Sequence, residues 1–374
     1  MERKEVPQEV VMEILSWLPI KPLLRFKCVS KTWLQLLTSD PHFINLHTQR
    51  FSKVNDNNNT NPGIVVLRLE NSDFYFSPDY AQHDYNDEDK VIKLEPPFDK
   101  SAFVLFGICN GLLCVSNGID DKFSKVYIWN PLVGDHITLP SSTIQSHIPE
   151  HGTTFGFGFH QGTNEYKVIR LCSISDSPTL ESEFLSHVSV YTLGTESWRT
   201  LDDVPYHIGL DKTMVGRANG ALHWFAKKLG TGVIVSFDIK DEVFREIPGP
   251  NGVSYDQYEV SVGDLGGFLS LCTYHDKLIQ IWVMSENGSW TYKYKFGRRK
   301  ILSVFGLFSV LDLLYVSKEG EVIVKKNYRD VILHNPNTKS RGEINQFGFP
   351  FYCALMYKGS LISPKCYHWS LADS

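Results

Sequence analysis

Long apolar runs and paired cysteines are both missing from this sequence. No run approaches the roughly 18 consecutive apolar residues that a membrane-spanning helix requires. The opening residues, M-E-R-K-E-V-P, lack the apolar stretch of a secretory signal peptide. The seven cysteines are odd in number and show no paired spacing. We therefore expect no membrane partner, and reduced thiols in the cytoplasm, the nucleus or both.

An excess of positive charge is also missing. The chain carries 37 Lys and Arg against 42 Asp and Glu, which gives a formal net charge of −5. A general binder of nucleic acid or of anionic membranes needs a basic surface. The composition argues against both classes of protein, and no nucleic-acid partner is expected.

Motifs for catalysis and metal binding are absent as well. The 13 histidines and seven cysteines form no H-E-x-x-H and no paired C-x-x-C spacing, and no G-x-S-x-G occurs. The G-F-G-F-H segment at 156–160 superficially resembles a dinucleotide loop, but a strand-like pattern follows it, so its glycines indicate close packing. The acidic run at 84–89 lacks the turn glycine and the distal Glu of a calcium loop. We expect no catalytic residue, no metal and no cofactor.

The first fifty residues have helical character. Apolar residues at helical spacing indicate a first helix, which Pro19 ends. Pro22 can open a second helix, and Ser30 is suited to cap a third. Ser39 or Asp40 then predicts a short fourth turn. The apolar residues assigned to these elements are Val10, Val11, Ile14, Leu15, Leu18, Leu23, Leu24, Phe26, Trp33, Leu34, Leu36, Leu37, Phe43, Ile44 and Leu46.

The pattern changes once, after a polar stretch at 51–63 that we interpret as a linker. From residue 64 to 374 short alternating segments end in polar turns, as in V-Y-I-W-N-P at 126–131 and V-S-V-Y-T-L at 188–193. The whole chain has 23 Phe, 17 Tyr and 27 Gly, an excess that favours strands and tight turns. No helix of three turns is expected in this part.

These strands recur as a unit. If Leu193, Ile239, Met284 and Asn335 are equivalent, the steps between them are 46, 45 and 51 residues, close to the period of a four-stranded propeller blade. We therefore predict a small all-α N-terminal domain followed by an all-β domain, a β-propeller of five to seven blades. Strands from both ends of that domain are available to close the ring. A β-sandwich with irregular hairpins is the alternative fold.

The helical part resembles a known module. Residues 6–46 are similar to the F-box, above all in L-P at 18–19 and in R-F-K-C-V-S-K-T-W at 25–33. Val6 stands where that family usually has Leu. The remaining chain resembles the plant F-box-associated domain, often described as kelch-like and shared by the S-locus F-box-like group. The motifs that carry this likeness are C-N-G-L-L-C, W-N-P, F-G-F-G-F-H, E-S-W-R and G-A-L-H-W.

The resemblance implies three segments and a role without catalysis. It divides the chain into an F-box at 1–50, a linker at 51–63 and an F-box-associated propeller at 64–374. An F-box docks on the Skp-type adaptor of an SCF-type cullin–RING ubiquitin ligase, and the second domain binds the protein to be ubiquitinated, commonly for proteasomal degradation. The implied function is a substrate-recognition subunit, not an enzyme, that reaches the cullin and the RING subunit through the adaptor.

The adaptor-facing residues follow from the resemblance by position. A module of about forty residues is too small to be secure alone, yet this one carries more large apolar groups than its core can hide, which favours a partner-binding patch. Packing of Leu18, Leu24 and Trp33 inside the module, and a solvated Lys31, are the plainer alternatives. The residues carried over are Pro7, Ile14, Leu15, Leu18, Pro19, Leu24, Cys28, Val29, Lys31 and Trp33.

Target binding is expected on long loops at one rim of the ring, at 141–151, 173–187 and 248–257. The second loop carries acidic residues that would suit a basic epitope, and an ordinary surface loop is the alternative. Two further functions stay open: a glycan-binding or enzymatic propeller with a helical appendix, and an F-box scaffold outside proteolysis. The identity of the target does not follow from the sequence. The acidic candidates are Asp176, Glu181 and Glu183.

Overall fold

The computed structural model describes most of the chain in both parts. The described residues are 6–57, 63–78, 91–99, 103–117, 125–141, 150–174, 185–208, 216–255, 259–265, 267–275, 278–297, 311–316, 321–326, 330–335, 341–344, 347 and 349–368.

Four α-helices occupy the described N-terminal residues: α1 (Gln8–Leu15), α2 (Ile20–Phe26), α3 (Lys31–Ser39) and α4 (Pro41–Asn57). α1 ends at Leu15, four residues before Pro19, which is the N-cap residue of α2. α2 begins at Ile20 and not at the predicted Pro22, which lies within its first turn. The side chain of Ser30 caps α3 by accepting a hydrogen bond from the Trp33 amide at 3.1 Å. Asp40 does the same for α4, accepting from the Phe43 amide at 2.9 Å. The predicted caps are confirmed.

The fourth helix is longer than the sequence predicts. α4 continues to Asn57, so the prediction of a short turn after Asp40 is wrong, and the first residues assigned to the linker, 51–57, are helical. Phe43, Ile44 and His47 are buried and give the helix an inner side. Its polar side faces solvent, where Arg50 pairs with Glu13 of α1 at 2.8 Å. Polar composition alone does not separate such a solvated helix face from a linker.

After the helices, the described strands form six four-stranded antiparallel sheets. The first sheet contains β1 (Gly63–Arg68), β2 (Phe74–Ser77), β3 (Ile92–Leu94) and, from the far end of the chain, β24 (Phe351–Tyr357). The second sheet contains β4 (Phe103–Cys109), β5 (Leu112–Asn117), β6 (Lys125–Asn130) and β7 (Asp135–Thr138). The third contains β8 (Glu150–His160), β9 (Glu165–Ile174), β10 (Leu185–Thr192) and β11 (Arg199–Thr200). The fourth contains β12 (Gly216–Ala218), β13 (Ala221–Lys228), β14 (Thr231–Asp238) and β15 (Phe244–Ile247). The fifth contains β16 (Glu259–Leu265), β17 (Phe268–His275), β18 (Leu278–Met284) and β19 (Trp290–Gly297). The sixth contains β20 (Leu311–Val316), β21 (Val322–Lys326), β22 (Asp330–His334) and β23 (Arg341–Ile344).

The sheets are the blades of a closed propeller. First strands of neighbouring blades contact each other in the pairs β4 and β8, β12 and β16, β16 and β20, β20 and β24, and β24 and β4. The third and fourth blades meet through β8 and β13. β24 also pairs antiparallel with β1, with Leu355 opposite Val65, so strands from both ends of the domain close the ring. The predicted propeller is confirmed, and the count of six falls within the predicted range. The only regular helix described after residue 63 is a 3-10 turn at Pro364–His368.

Close packing and hydrogen bonds hold neighbouring blades together. Gly156 and Gly158 of β8 lie against the fourth blade, where a Cβ atom on Gly156 would collide with Trp224. Their role in close packing, predicted from the sequence, is confirmed. Tryptophans after the third strands staple successive blades: Trp198 Nε1 donates to the Pro140 carbonyl at 2.7 Å, and Trp290 Nε1 donates to the Pro248 carbonyl at 2.7 Å.

Strand alternation gives the ring two distinct faces. Turns between first and second strands, such as 110–111 and 219–220, lie on one face with the turns between third and fourth strands, such as 131–134. We call this the helix face, because α2, α3 and the segment after β24 pack on it. The connections between second and third strands, such as 229–230, lie on the opposite side, the open face.

The helices are fixed to the ring through a shared core. One hydrophobic cluster contains Leu23 and Leu37 of the helices, Leu361 and Ile362 of the C-terminal segment, and Ile128 of β6. Each of these side chains is at most 2% exposed. The helical module is therefore packed on the second blade.

Candidate functional site: an apolar face on the helices

The first helix is apolar on two sides. Val11 and Leu15 pack toward the core, whereas Val10 is 45% exposed, Ile14 56% and Trp17 53%. Val10 and Ile14 lie four residues apart on one side of α1, and Trp17 follows three residues later in the turn after the helix. An apolar stripe left in solvent on a helix whose other side is already buried indicates a second packing partner.

The second and third helices, with the turn between them, also carry exposed apolar groups. Val29, in the turn between α2 and α3, is 60% exposed, and Leu34 of α3 is 45% exposed. Trp33 is half-buried and packs edge-on against Phe26, with 5.6 Å between ring centroids. The Ser30 cap fixes the start of α3 and so the position of Trp33. We call the exposed set Val6, Val10, Ile14, Trp17, Val29 and Leu34 the apolar face.

Polar contacts hold the rim of the apolar face in one geometry. Trp17 Nε1 donates to Glu13 Oε1 at 3.2 Å, and the Arg50 guanidinium lies 4.7 Å from the centroid of the Trp17 ring. Hydrogen bonds from Arg50 and Trp17 lower the pKa of the Glu13 carboxyl. The indole is thereby oriented before any partner arrives, which reduces the entropy lost on binding.

A buried histidine supports the turn between the first two helices. His47 Nε2 lies 3.0 Å from the Leu18 carbonyl, and because a carbonyl only accepts, Nε2 carries the proton. Burial lowers the pKa of His47, so the ring stays neutral at physiological pH. This contact ties α4 to the L-P turn at 18–19.

The ten adaptor residues predicted from the resemblance differ in exposure. Leu15, predicted to face the adaptor, is 2% exposed and belongs to the hydrophobic core of this chain. Four further exposed apolar residues, Val6, Val10, Trp17 and Leu34, were not among the predicted ten, although the spacing of Val10, Ile14 and Trp17 could have indicated them. Half-buried are Leu18, Leu24 and Trp33; exposed are Pro7, Ile14, Pro19, Cys28, Val29 and Lys31.

The acidic substrate candidates Asp176, Glu181 and Glu183 lie outside the described residues. The strands that flank them are described, and Ile174 at the end of β9 and Leu185 at the start of β10 both lie on the open face. The flanks of the other two candidate loops lie on that face too. All three predicted loops therefore connect strand ends at one rim, opposite the helices.

A small cavity marks the centre of the helix face, with a volume of about 280 Å³. It is lined in part by Cys109, Asn110, Arg217 and Asp264. Burial raises the pKa of the Cys109 thiol, so it is protonated and unsuited to nucleophilic attack. Among the residues that the structure describes, no group of three or more His, Cys, Asp and Glu side chains could hold a metal ion. No helix in the described ranges has the length and apolarity to cross a membrane.

Comparison with known proteins identifies both parts of the chain. A family model for the F-box domain matches residues 5–45, and a model for the F-box associated beta propeller domain matches residues 64–347. The second match alone covers more than half of the sequence. The chain belongs to the F-box associated β-propeller family. The resemblance read from the motifs is confirmed.

Relatives of this F-box propeller protein match it over most of its length. An F-box/kelch-repeat protein of Arabidopsis thaliana is 27% identical over 344 residues, which cover 88% of this chain and 87% of the relative. The F-box protein CPR1 of the same plant is 25% identical over 386 residues, covering 96% and 88%. Among solved structures, TolB from Acinetobacter baumannii matches 81% of this chain and 69% of its own with 10% identity and a TM-score of 0.44.

Proposed function

We propose that this F-box propeller protein is the substrate-recognition subunit of an SCF-type ubiquitin ligase, acting in the cytoplasm or the nucleus. Its helices dock on a Skp-type adaptor, which connects it to the cullin and the RING subunit. Its ring holds a protein substrate for ubiquitination and degradation. The observation that carries the proposal is the apolar face of the F-box, which stays in solvent although other apolar side chains of the module, such as Leu23 and Leu37, are buried against the ring.

Energetics support a partner at this surface. Full burial of one large aliphatic side chain is worth about 1.5–3 kcal/mol, and the apolar face offers six partly or largely exposed groups. Few of these need to act as anchors for a stable complex, since a small number of central residues supplies most of the binding energy at an interface. Trp17, held by Glu13 and Arg50, has the properties of such an anchor.

The open face is the site that we propose for the substrate. Four leucines at second-to-third strand connections are exposed there, in four different blades: Leu69 at 37%, Leu185 at 42%, Leu229 at 71% and Leu278 at 37%. Leu229 also has a φ of 48°, a left-handed conformation that costs energy for a leucine. Strained, exposed apolar tips suit contacts with a partner.

Separation of the two sites suits a receptor without chemistry of its own. A ligase subunit of this kind raises the effective concentration of the substrate near the ubiquitin-loaded enzyme. The adaptor would bind on the helices, and the substrate on the far side of the ring. Neither would obstruct the other.

Adaptor docking is tested with calorimetry on the full-length chain and a purified Skp-type adaptor. Ile14→Asp and Val29→Asp place a charge in the apolar face, and each is expected to weaken binding at least about tenfold. Leu229→Asp is the matched control, because it makes the same kind of change on the open face. Unchanged affinity in both F-box variants, or an equal loss in the control, would contradict the proposal.

Substrate binding is tested by proximity labelling with the proteasome blocked. Proteins that the wild-type chain labels should be lost with Leu185→Asp combined with Leu229→Asp. Val243→Asp is the control, since Val243 is 44% exposed on the helix face. A labelled set that survives the double substitution would remove the open face as the substrate site.

A further inference from the structure

The C-terminal segment after the ring-closing strand connects three parts of the molecule. Residues 358–366, here called the strap, leave β24 on the helix face and cross the 131–134 turn of the second blade to reach the helices. Leu361 and Ile362 are buried in the cluster that also holds Leu23 and Leu37 of the F-box. The strap lies beyond residues 64–347, the range that the propeller family model matches.

Asn130 at the end of β6 clamps the strap. It is completely buried, and its Nδ2 donates to the Ser360 carbonyl at 3.0 Å and to the Ile362 carbonyl at 2.7 Å. Its Oδ1 accepts from the Leu132 amide at 3.0 Å, which shapes the turn. One side chain therefore holds the turn with its oxygen and the strap with its nitrogen.

The fourth blade shows which half of this arrangement the turn requires. Asp238 ends β14 as Asn130 ends β6, and its Oδ1 accepts from the amides of Lys240 and Asp241 at 2.9 Å each. A carboxylate oxygen thus suffices for a turn at this position. The amide nitrogen of Asn130 serves the strap alone.

Further contacts bind the strap to both neighbours. A Cβ atom at Gly359 would collide with Leu132 Cδ1 and lie 3.2 Å from Ile20 Cδ1 of α2, so blade, strap and F-box meet at this glycine. Ser363 Oγ donates to Asp135 Oδ2 at 2.7 Å, and Lys365 Nζ donates to Asp135 Oδ1 at 2.8 Å. The strap is anchored along its length, with the F-box on one side and the second blade on the other.

We propose that Asn130 is a positioning residue: through the strap it fixes the orientation of the F-box on the ring, and so the location of the open face relative to a bound adaptor. The inference rests on the receptor function proposed above. A fixed orientation keeps a bound substrate within a small volume, which preserves its effective concentration at the transfer site. Release of the clamp loosens this geometry without touching the apolar face or the open face.

The test measures the orientation directly. Spin labels are attached to cysteines introduced by Gln49→Cys on α4 and Glu286→Cys on the fifth blade, both at exposed positions. Cys28→Ser and Cys366→Ser remove the exposed and the half-buried native thiol. The distance distribution between the labels is recorded by pulsed electron paramagnetic resonance on the full chain bound to a Skp-type adaptor.

Asn130→Asp keeps the turn-forming oxygen and turns the strap contact into a repulsion between the carboxylate and two carbonyls. Asp238→Asn is the matched control, an exchange of the same atoms at the equivalent turn where no strap passes. We expect one narrow distance distribution for the wild type and for Asp238→Asn, and a broad one for Asn130→Asp, with unchanged adaptor affinity. Ser363→Ala combined with Lys365→Met removes the hydrogen bonds of the strap to Asp135 and changes no residue of the ring. We call it the rim variant, and it should broaden the distance distribution as well.

A narrow, unshifted distance distribution both for Asn130→Asp and for the rim variant would overturn the proposed role of Asn130. If Asn130→Asp does not fold, the rim variant alone decides between the outcomes. Failure of the labelled parent chain to bind the adaptor would instead count against the proposed receptor function, so the two failures are distinguishable.

Discussion

Two neighbouring residues of α1 give the sharpest prediction. Leu15 is 2% exposed and Ile14 is 56% exposed, although they have the same number of carbon atoms. Leu15→Ala should destabilise the F-box by about 2–5 kcal/mol, because it removes buried contacts and leaves a cavity. A module of this size rarely has more than about 3–5 kcal/mol of stability from its own core, so most of it would be lost. Ile14→Ala should change stability by less than about 0.5 kcal/mol.

The opposite order is expected for adaptor binding by folded protein. Ile14→Ala removes a group that contacts the partner and should cost more than about 1 kcal/mol of binding free energy. Thermal unfolding of the helices can be followed by circular dichroism at 222 nm, because every α-helix in the described residues lies before residue 58. Calorimetry gives the affinity. Equal helix stability in the two variants, or a stability loss confined to Ile14→Ala, would refute the assignment of one apolar side of α1 to the core and the other to a partner.

Three further predictions concern the ring, each measured by urea unfolding. Burial lowers the pKa of His223 from 6.5 to about 4. The contribution of His223 to stability should therefore be constant above pH 6.5 and fall by about 3 kcal/mol as the pH drops toward 4. His223→Asn should reduce the slope of stability against pH in this range, and an unchanged slope would contradict the assignment. Trp290→Phe removes the indole donor to Pro248 and should cost about 1 kcal/mol of ring stability. Unchanged stability would show that this hydrogen bond between blades does not stabilise the ring. Lys167, 5% exposed, donates to the Ile239 carbonyl at 2.9 Å and to Glu242 at 2.8 Å, and Glu242 also accepts from Arg199 at 2.6 Å. Lys167→Met leaves the Ile239 carbonyl without this donor and Glu242 with Arg199, and it should cost about 1–3 kcal/mol. A neutral result would argue against a polar contact that holds the third and fourth blades together.

The helices illustrate what sequence can and cannot predict. Proline and serine positions gave the first three helices and the Ser30 cap, because these depend on local chemistry. The same local rules could not assign Leu15 to the core and Trp17 to the surface, since α1 is apolar on both sides. That choice depends on where the ring packs. The length of α4 was missed for a similar reason, because Arg50 is held by Glu13 from another helix.

The ring was predictable as a repeat but not as a number of blades. The spacing of 45–51 residues between equivalent points identifies a blade, and it comes from turn chemistry within each unit. The count depends on how the ends pair, and β24 joins β1 from the far end of the chain. The sequence shows candidate strands at both ends of the domain, but it does not show which of them pair to close the ring.

The clamp lay beyond sequence reasoning altogether. Asn130 appears in a W-N-P motif that predicts a turn, and its oxygen does form one. Its second role depends on the Ser360 carbonyl, 230 residues further along the chain. No periodicity or local rule connects positions so distant. Only the folded ring brings them together.

Hydrogen–deuterium exchange of the full chain, with and without a bound Skp-type adaptor, tests the central claim most directly. The account predicts that adaptor binding slows exchange in residues 6–34, which carry the apolar face, and leaves the strand ends around 228–232 on the open face unchanged. Slower exchange on the open face with residues 6–34 unaffected would contradict it.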